Sequence, residues 1–321
     1  MWGLEYGLTL PILFTILPLF PDWRLNKMFK IEELAQYASN NRKEFVIRSM
    51  GDLTIYKYSP RVHCRGLWNE FNMETRGLVI DSNNKIVTYP FSKFFNRFEE
   101  FADTFDNDEI VYANRKYNGF LAIVTVHNGR LLYHTADSLD GEFVERIGRY
   151  VKDEWVNILD PNYTYMFECI ATDDYHVTME EEGLTLIGYR KKELGSEILF
   201  KERDLKPLAK RLGCHWAKGM IVRMSDLVSI VKTVDYEGFV VRSMDGKRCI
   251  KMKSPKFLRK RFFAYLTERK ADILDDLDFE EMDEEFRPLV QYVKDHKAEY
   301  LAMSKAERVT LIRSFFEKEV E

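Results

Sequence analysis

Lys116-Tyr117-Asn118-Gly119 sets an amine three residues ahead of a glycine, and the run Gly119 to Val126 then reads as a strand. An amine is a nucleophile only when neutral, and free lysine titrates near pH 10.4, so such a lysine needs surroundings that favour its uncharged form. Neighbouring cations do this by like-charge repulsion. They also neutralise a phosphorylated substrate and its leaving group. Alone, the lysine-glycine spacing is a weak signal that chance supplies often. Its companions, in order along the chain, carry more. Upstream stand Thr75-Arg76-Gly77-Leu78-Val79 and Ser92-Lys93-Phe94-Phe95-Asn96. Downstream come Met166-Phe167-Glu168, Leu186-Ile187-Gly188-Tyr189-Arg190, Glu237-Gly238-Phe239-Val240-Val241-Arg242 and Ile250-Lys251-Met252-Lys253.

The elements that must position these residues follow from pattern and turn chemistry. Strand-like runs Glu44 to Arg48 and Leu53 to Tyr58 flank Met50-Gly51-Asp52, and Gly77 to Asp81 and Lys85 to Tyr89 flank Ser82-Asn83-Asn84. Arg130 to Thr135, Tyr163 to Ile170, Leu184 to Tyr189, Gly238 to Arg242 and Arg248 to Met252 complete the expected strands. Helical spacing is read over Ile31 to Tyr37, Asp140 to Val151 and Asp204 to Leu212, with Ser225 capping a short helix through Val231. Glycine is absent after Ser254-Pro255, and Leu, Phe, Tyr and Val recur every three or four residues among charges. The expected fold is α+β: a mixed, antiparallel-sheet domain over residues 28–254, then a small all-helical domain over 255–321.

The 321 residues, 45% hydrophobic and 31% charged, suit an ordered globular protein. A net charge of −4 means that any polyanion site is a local basic patch. The cysteines Cys64, Cys169, Cys214 and Cys249 form no CxxC pair, and the six histidines do not cluster, which argues against a zinc site and for reduced thiols in a cytoplasmic protein. Leu8 to Phe20 is apolar but broken by Pro11 and Pro18 and shorter than the roughly 20 residues a bilayer span takes. It also lacks a basic leader, so residues 1–27 read as a packing tail or as the product of an upstream start codon, with Met28 the working start.

The ordered motif set resembles that of the covalent nucleotidyltransferase superfamily. The Arg-Gly and Lys-Phe-Phe-Asn elements ahead of Lys116 resemble the phage-type RNA ligase 1 family, from about Ile31 through Lys253. The resemblance implies ATP as substrate, Mg²⁺ or Mn²⁺ as metal, and Lys116 as carrier of a covalent lysyl-adenylate. It implies nucleotide or triphosphate contacts for Tyr58, Arg76 and Lys93, and adenine stacking for Phe95. Glu168 would bind the ribose, Glu237 would help hold the metal, and Lys251 and Lys253 would grip the α-phosphate. Gly119 would let the backbone approach the nucleotide. Tyr58 reads equally as an ordinary strand tyrosine. The implied reaction joins RNA 5′-phosphate and 3′-hydroxyl ends, as in tRNA repair, with an end-healing polynucleotide kinase upstream and the host cytoplasm as the place if the protein is viral. DNA ligases and capping enzymes share the core motifs but continue into a β-barrel that residues 256–321 do not supply.

Asn118 stands where the family usually has Asp, the one feature favouring a nucleotide- or RNA-binding relative with weakened catalysis. Thr135-Ala136-Asp137-Ser138 lacks the lysine the family tends to place there. The run Lys256, Arg259, Lys260 and Arg261, interleaved with Phe257, Phe262 and Phe263, reads either as an RNA-backbone contact or as a helix with solvated charges. The acidic run Asp272 to Glu285 reads as a solvated helix face.

Overall fold

The computed structural model describes residues 29–272 and 284–316. The expectations for residues 1–27, for Met28, and for most of the acidic run lie outside the described residues. In chain order the first elements are α1 (Ile31–Asn40), β1 (Phe45–Met50), β2 (Leu53–Tyr58), α2 (Pro60–Arg65), α3 (Glu70–Glu74), β3 (Arg76–Asp81), β4 (Ile86–Thr88) and β5 (Phe95–Asn96). Then come β6 (Ile110–Lys116), β7 (Phe120–His127), β8 (Arg130–Thr135), α4 (Glu142–Gly148), β9 (Tyr163–Ile170), β10 (Gly183–Lys191), β11 (Ile198–Leu199) and α5 (Glu202–Leu212). The chain continues through β12 (His215–Trp216), β13 (Gly219–Arg223), α6 (Met224–Thr233), β14 (Gly238–Ser243) and β15 (Cys249–Lys253). After it lie α7 (Pro255–Ala264), α8 (Glu268–Ala271), α9 (Arg287–Asp295), α10 (Lys297–Ala302) and α11 (Lys305–Phe316). The class is α+β with mixed sheets, and helices follow Ser254, as the sequence pattern implies.

Three sheets organise the strands. The first runs β1-β2-β3-β4, the second β11-β10-β9-β7-β8 with β12 beside β10, and the third β13-β6-β14-β15-β5. All pairs are antiparallel except β10 with β12 and β15 with β5. The third sheet shows why its side chains divide as they do. Successive residues of a strand point to opposite faces. Ile250 and Met252 therefore go to one face of β15, with Val111, Ala113, Phe239 and Val241, where Met224, Leu227 and Val231 of α6 cover them. Burying each large apolar side chain contributes roughly 1.5–3 kcal/mol, which fixes the face that Lys251 and Lys253 must take. The second sheet packs Phe167, Leu184 and Leu186 against Trp155 and against Leu205, Ala209 and Leu212 of α5. Those three recur at i, i+4 and i+7, one stripe of a helix that ends at Gly213 in the left-handed region (φ 64°).

The helices after Ser254 close around Phe257, Phe263, Phe286, Leu289, Val293, Tyr300 and Ile312. Ser254 caps α7, its Oγ accepting from the Phe257 N–H at 3.1 Å, with Pro255 in the first turn. Val177 of the β9–β10 loop enters this helical cluster, and Arg313 donates to the His176 carbonyl.

Several expectations are corrected. Ser225 is not a cap: α6 begins at Met224, and the Ser225 N–H donates to the Asn107 carbonyl. The helix expected over 140–151 is only Glu142–Gly148, followed by a 3₁₀ turn over Asp153–Asn157. Strands β5, β6, β11, β12 and β13 and helices α2 and α3 are additional. β6 is hidden in the sequence because its last three residues, Asn114-Arg115-Lys116, are polar and line a cavity where a strand usually carries apolar residues.

Candidate active site

Between the second and third sheets lies a cavity of about 360 Å³. Its floor is the uncovered face of the third sheet, in three ladder rows. Lys116 and Lys253 flank Gly238 across β6, β14 and β15; Asn114, Val240 and Lys251 form the next row, and in the third, Tyr112, Arg242 and Cys249, only Arg242 reaches the cavity. The opposing wall is the second sheet, which contributes Leu121, Glu168 and Ile187. Arg76 enters from β3.

The first row explains the central contact. Adjacent strands lie about 4.8 Å apart, so Lys116 and Lys253 sit roughly 10 Å apart at their Cα atoms, on one face, with Gly238 between. A Cβ at Gly238 (φ +129°) would meet the Met252 carbonyl oxygen at 2.1 Å. Glu237, just before it, reaches both lysines: Lys116 Nζ donates to Oε2 at 2.8 Å and Lys253 Nζ pairs with Oε1 at 3.1 Å. Across the cavity, Glu168 Oε1 accepts from the Gly119 N–H at 3.0 Å.

The protonation balance corrects the expectation for Lys116. Burial opposes its charge, but Glu168 and Glu237 outweigh burial and the opposing Arg76, so its pKa lies above the ordinary lysine value. The lowering falls on its neighbours. Lys251 is held well below the usual range by burial and by Arg76, Lys93, Lys116 and Lys253. Lys253 is lowered by burial, against the pull of Glu237. Lys93 is lowered to about 8, by burial and then Arg76. Burial raises Glu168, with Lys116 opposing. Burial would raise Glu237 too, but Lys116 and Lys253 carry it below the carboxylate norm.

Of the residues singled out in the sequence, Arg76, Lys116, Gly119, Glu168, Glu237, Lys251 and Lys253 meet at this cavity. Tyr58, Lys93 and Phe95 do not line it. Lys93 Nζ lies 4.6 Å from the Phe95 ring, 5.0 Å from Trp68 and 5.9 Å from Tyr58, a cation boxed by three aromatics. Phe95 is buried against Trp68 and Phe101. Of the adjacent pair it is Phe94 that faces the cavity, because neighbouring residues of an extended segment point opposite ways. Its ring is 4.7 Å from Lys251 Nζ and 5.6 Å from Arg76 Cζ. Tyr58 lines an adjoining hollow that shares Arg76 and Leu121 with the cavity. Gly119 also has a reason other than the expected one. A Cβ there would meet the Cys169 carbonyl oxygen at 2.3 Å, so the glycine is what lets the start of β7 approach β9.

The sequence gives no role to Arg115 or Glu180. Arg115 stacks on Tyr236 (4.4 Å) and Tyr117 (5.1 Å), and its Nη2 bonds Glu180 Oε2 at 2.8 Å. Glu180 also accepts the Asn118 N–H, and burial pushes its carboxyl up to about 7 despite Arg115. It therefore braces the residues on either side of Lys116. In Glu180-Glu181-Glu182 nothing local sets one carboxylate apart from the other two. Among the described residues no three acidic, histidine or cysteine side chains converge as a metal cage, no disulfide joins the cysteines, and no helix is long and apolar enough to cross a membrane.

Solved structures share this architecture. A chain assigned as an ATP-dependent DNA ligase from Aquifex aeolicus is similar at TM-score 0.52 and 13% identity, covering 90% of this chain and 80% of that one. Two forms of an archaeal ATP-dependent RNA ligase are similar at TM-score 0.52 with 14% and 13% identity, covering 90% and 89% of this chain and 80% and 77% of theirs. At these identities the likeness shows the fold, that of the ATP-dependent ligase nucleotidyltransferases. No curated protein matches the chain. The family model described as RNA ligase matches residues 74–270, more than half of the sequence and every strand that lines the cavity; the chain belongs to that RNA ligase family.

Proposed function

We propose that the protein is an ATP-dependent RNA ligase that carries AMP on Lys116. The reading rests above all on one observation: Lys116 and Lys253 share a ladder row and a single carboxylate, Glu237, inside a cavity that also holds Arg76, Lys251 and Glu168. Lys116 Nζ gives up its ammonium proton to solvent and, as the neutral amine, attacks the α-phosphorus of ATP. A P–N bond forms, the nitrogen releases a second proton, the α–β bridging P–O bond breaks, and pyrophosphate leaves. Lys251, Lys253 and Arg76 supply positive charge to the phosphates. AMP then passes to an RNA 5′-phosphate, and an RNA 3′-hydroxyl finally displaces AMP to seal the strand. A Mg²⁺ ion would be held by Glu237 with water and phosphate as its other ligands, while Glu168 would bind the ribose. Such an ion would supply further positive charge to the triphosphate.

On this reading residues 28–254 carry the nucleotide chemistry, and the helical domain over 255–321 selects the RNA, single-stranded ends such as those of a broken tRNA loop. A polynucleotide kinase that restores 5′-phosphates is the fitting upstream partner, and the cytoplasm the fitting place. Incubation with α-labelled ATP and Mg²⁺ should label the wild-type chain, and Lys116→Ala should abolish the label while keeping the fold. A folded wild-type chain that takes no label would sink the proposal. Sealing of single-stranded RNA should exceed sealing of nicked duplex DNA; the reverse would point to a DNA ligase.

A further inference from the structure

One side of the cavity is built by helices whose residues the adenylate chemistry does not use. Arg261 and Tyr265 of the α7 segment and Lys305 of α11 line it. Phe257, Arg261 and Tyr265 lie four residues apart and so form one stripe, about 12 Å long at 1.5 Å per residue. Phe257 is buried at the inner end, and Tyr265 is 49% exposed at the outer end. Two cations flank the Tyr265 ring: Arg261 Cζ at 5.5 Å and Lys305 Nζ at 5.1 Å from its centroid. Arg261 is close enough to Lys253 to help depress its pKa, which ties this rim to the reacting end of the cavity.

We infer that Arg261, Tyr265 and Lys305 form the subsite for the RNA strand that bears the 5′-phosphate. A terminal base stacks on Tyr265, while Arg261 and Lys305 contact the phosphates that flank it. This combination of an exposed ring with flanking cations is how single strands are held without reading their sequence. The adenine of ATP has Phe94 to stack on, beside Lys251 and Arg76, and Arg76, Lys251 and Lys253 already stand in the cavity to neutralise its phosphates. The other basic side chains of α7 turn elsewhere: Lys256 pairs with Glu285 at 3.0 Å, Arg259 lies over Phe286, and Lys260 over Phe316. The inference rests on Lys116 as the AMP carrier. In the step it serves, a 5′-phosphate oxygen attacks the phosphorus of Lys116–AMP. A P–O bond forms and the P–N bond breaks, and the electron pair returns to Nζ, which takes up a proton.

The test uses the full-length chain and separates two steps. Protein–AMP formation from α-labelled ATP is measured first. Transfer of that AMP to a 5′-phosphorylated single-stranded RNA is then followed against RNA concentration. Tyr265→Ala should leave the first step intact and raise the RNA concentration for half-maximal transfer by about 5- to 150-fold, while Tyr265→Phe, which keeps the ring, should restore it. Lys305→Ala should weaken transfer and flatten its salt dependence by about one phosphate contact. Unchanged RNA dependence in Tyr265→Ala would overturn the inference. So would loss of protein–AMP formation alone, which would assign the rim to ATP. If the wild-type chain forms no protein–AMP, the Lys116 reading fails instead. RNA binding by fluorescence anisotropy, wild type against Tyr265→Ala, still decides the subsite, and equal binding overturns it.

Discussion

Glu237→Gln keeps the size of the side chain and removes the one charge that Lys116 and Lys253 share. The contact is short, 2.8 Å from Lys116 Nζ to Oε2. A unit charge pair at about 4 Å in an effective dielectric near 20 is worth about 4 kcal/mol. Sharing with Lys253, and the remaining carboxylate of Glu168, cut this to about half for Lys116 alone. About 2 kcal/mol corresponds to a roughly 30-fold rise in the neutral fraction of the Lys116 amine at any fixed pH below its titration. The assay is a pulse with an amine-acylating reagent near neutral pH, read as the mass shift of the peptide that contains Lys116. Linkage sets the signs for stability. Lys116, with its folded pKa raised, contributes stability that is full below the unfolded lysine value and is lost as pH rises through the folded one. Glu237, with its folded pKa lowered, contributes above the unfolded carboxylate value and loses this as pH falls through the folded one. The variant should therefore lose about 3–5 kcal/mol at neutral pH, the cost of leaving buried cations without their partner. A folded variant whose Lys116 reacts no faster than wild type would refute the assignment of Glu237, alongside Glu168, as a group that keeps the amine protonated.

Phe94 and Phe95 should separate cleanly. Phe94→Ala is expected to weaken ATP binding by about 5- to 150-fold in a titration with little loss of stability, whereas Phe95→Ala should cost about 3–5 kcal/mol of unfolding free energy. Gly119→Ala should destabilise the chain by about 1–3 kcal/mol in denaturant, because β7 must move off the Cys169 carbonyl. Glu180, raised to about 7, binds its proton more tightly when folded, so its contribution to stability falls as pH rises from the unfolded carboxylate value towards 7. Glu180→Gln should flatten that part of the stability–pH curve, a change on the order of 3 kcal/mol, and an unchanged curve would count against the shift.

The motifs were legible because their spacing is set by strand ends, which sequence pattern reveals well. Lys116, Glu168, Glu237, Lys251 and Lys253, which the motif order picks out, line one cavity for that reason. What the sequence hides is direction. Phe94 and Phe95 are chemically identical, and only the pairing of β5 with β15 decides which one meets the cavity and which one meets Trp68. The sign of the Lys116 shift was hidden as well, because distant carboxylates and distant cations compete for it and their distances are a tertiary property. Glu180 reaches Arg115 over 65 residues of sequence, with no local pattern to announce the contact.

The ladder row through Gly238 also governs what a folding error would produce. Strand side chains alternate with a period of two, so slipping β6 or β15 by one residue would turn Lys116 or Lys253 onto the face that α6 covers. The same slip would bring an apolar residue into the water-facing cavity. Neither state is tolerable, so the packing of Met224, Leu227 and Val231 on one face adds to the Glu237 ion pairs on the other in removing the competing registers. A helix on the far side of the sheet thus acts as proofreader for the placement of the two lysines. Damage to α6 is expected to yield aggregated or degraded chains, not folded ones with a displaced nucleophile.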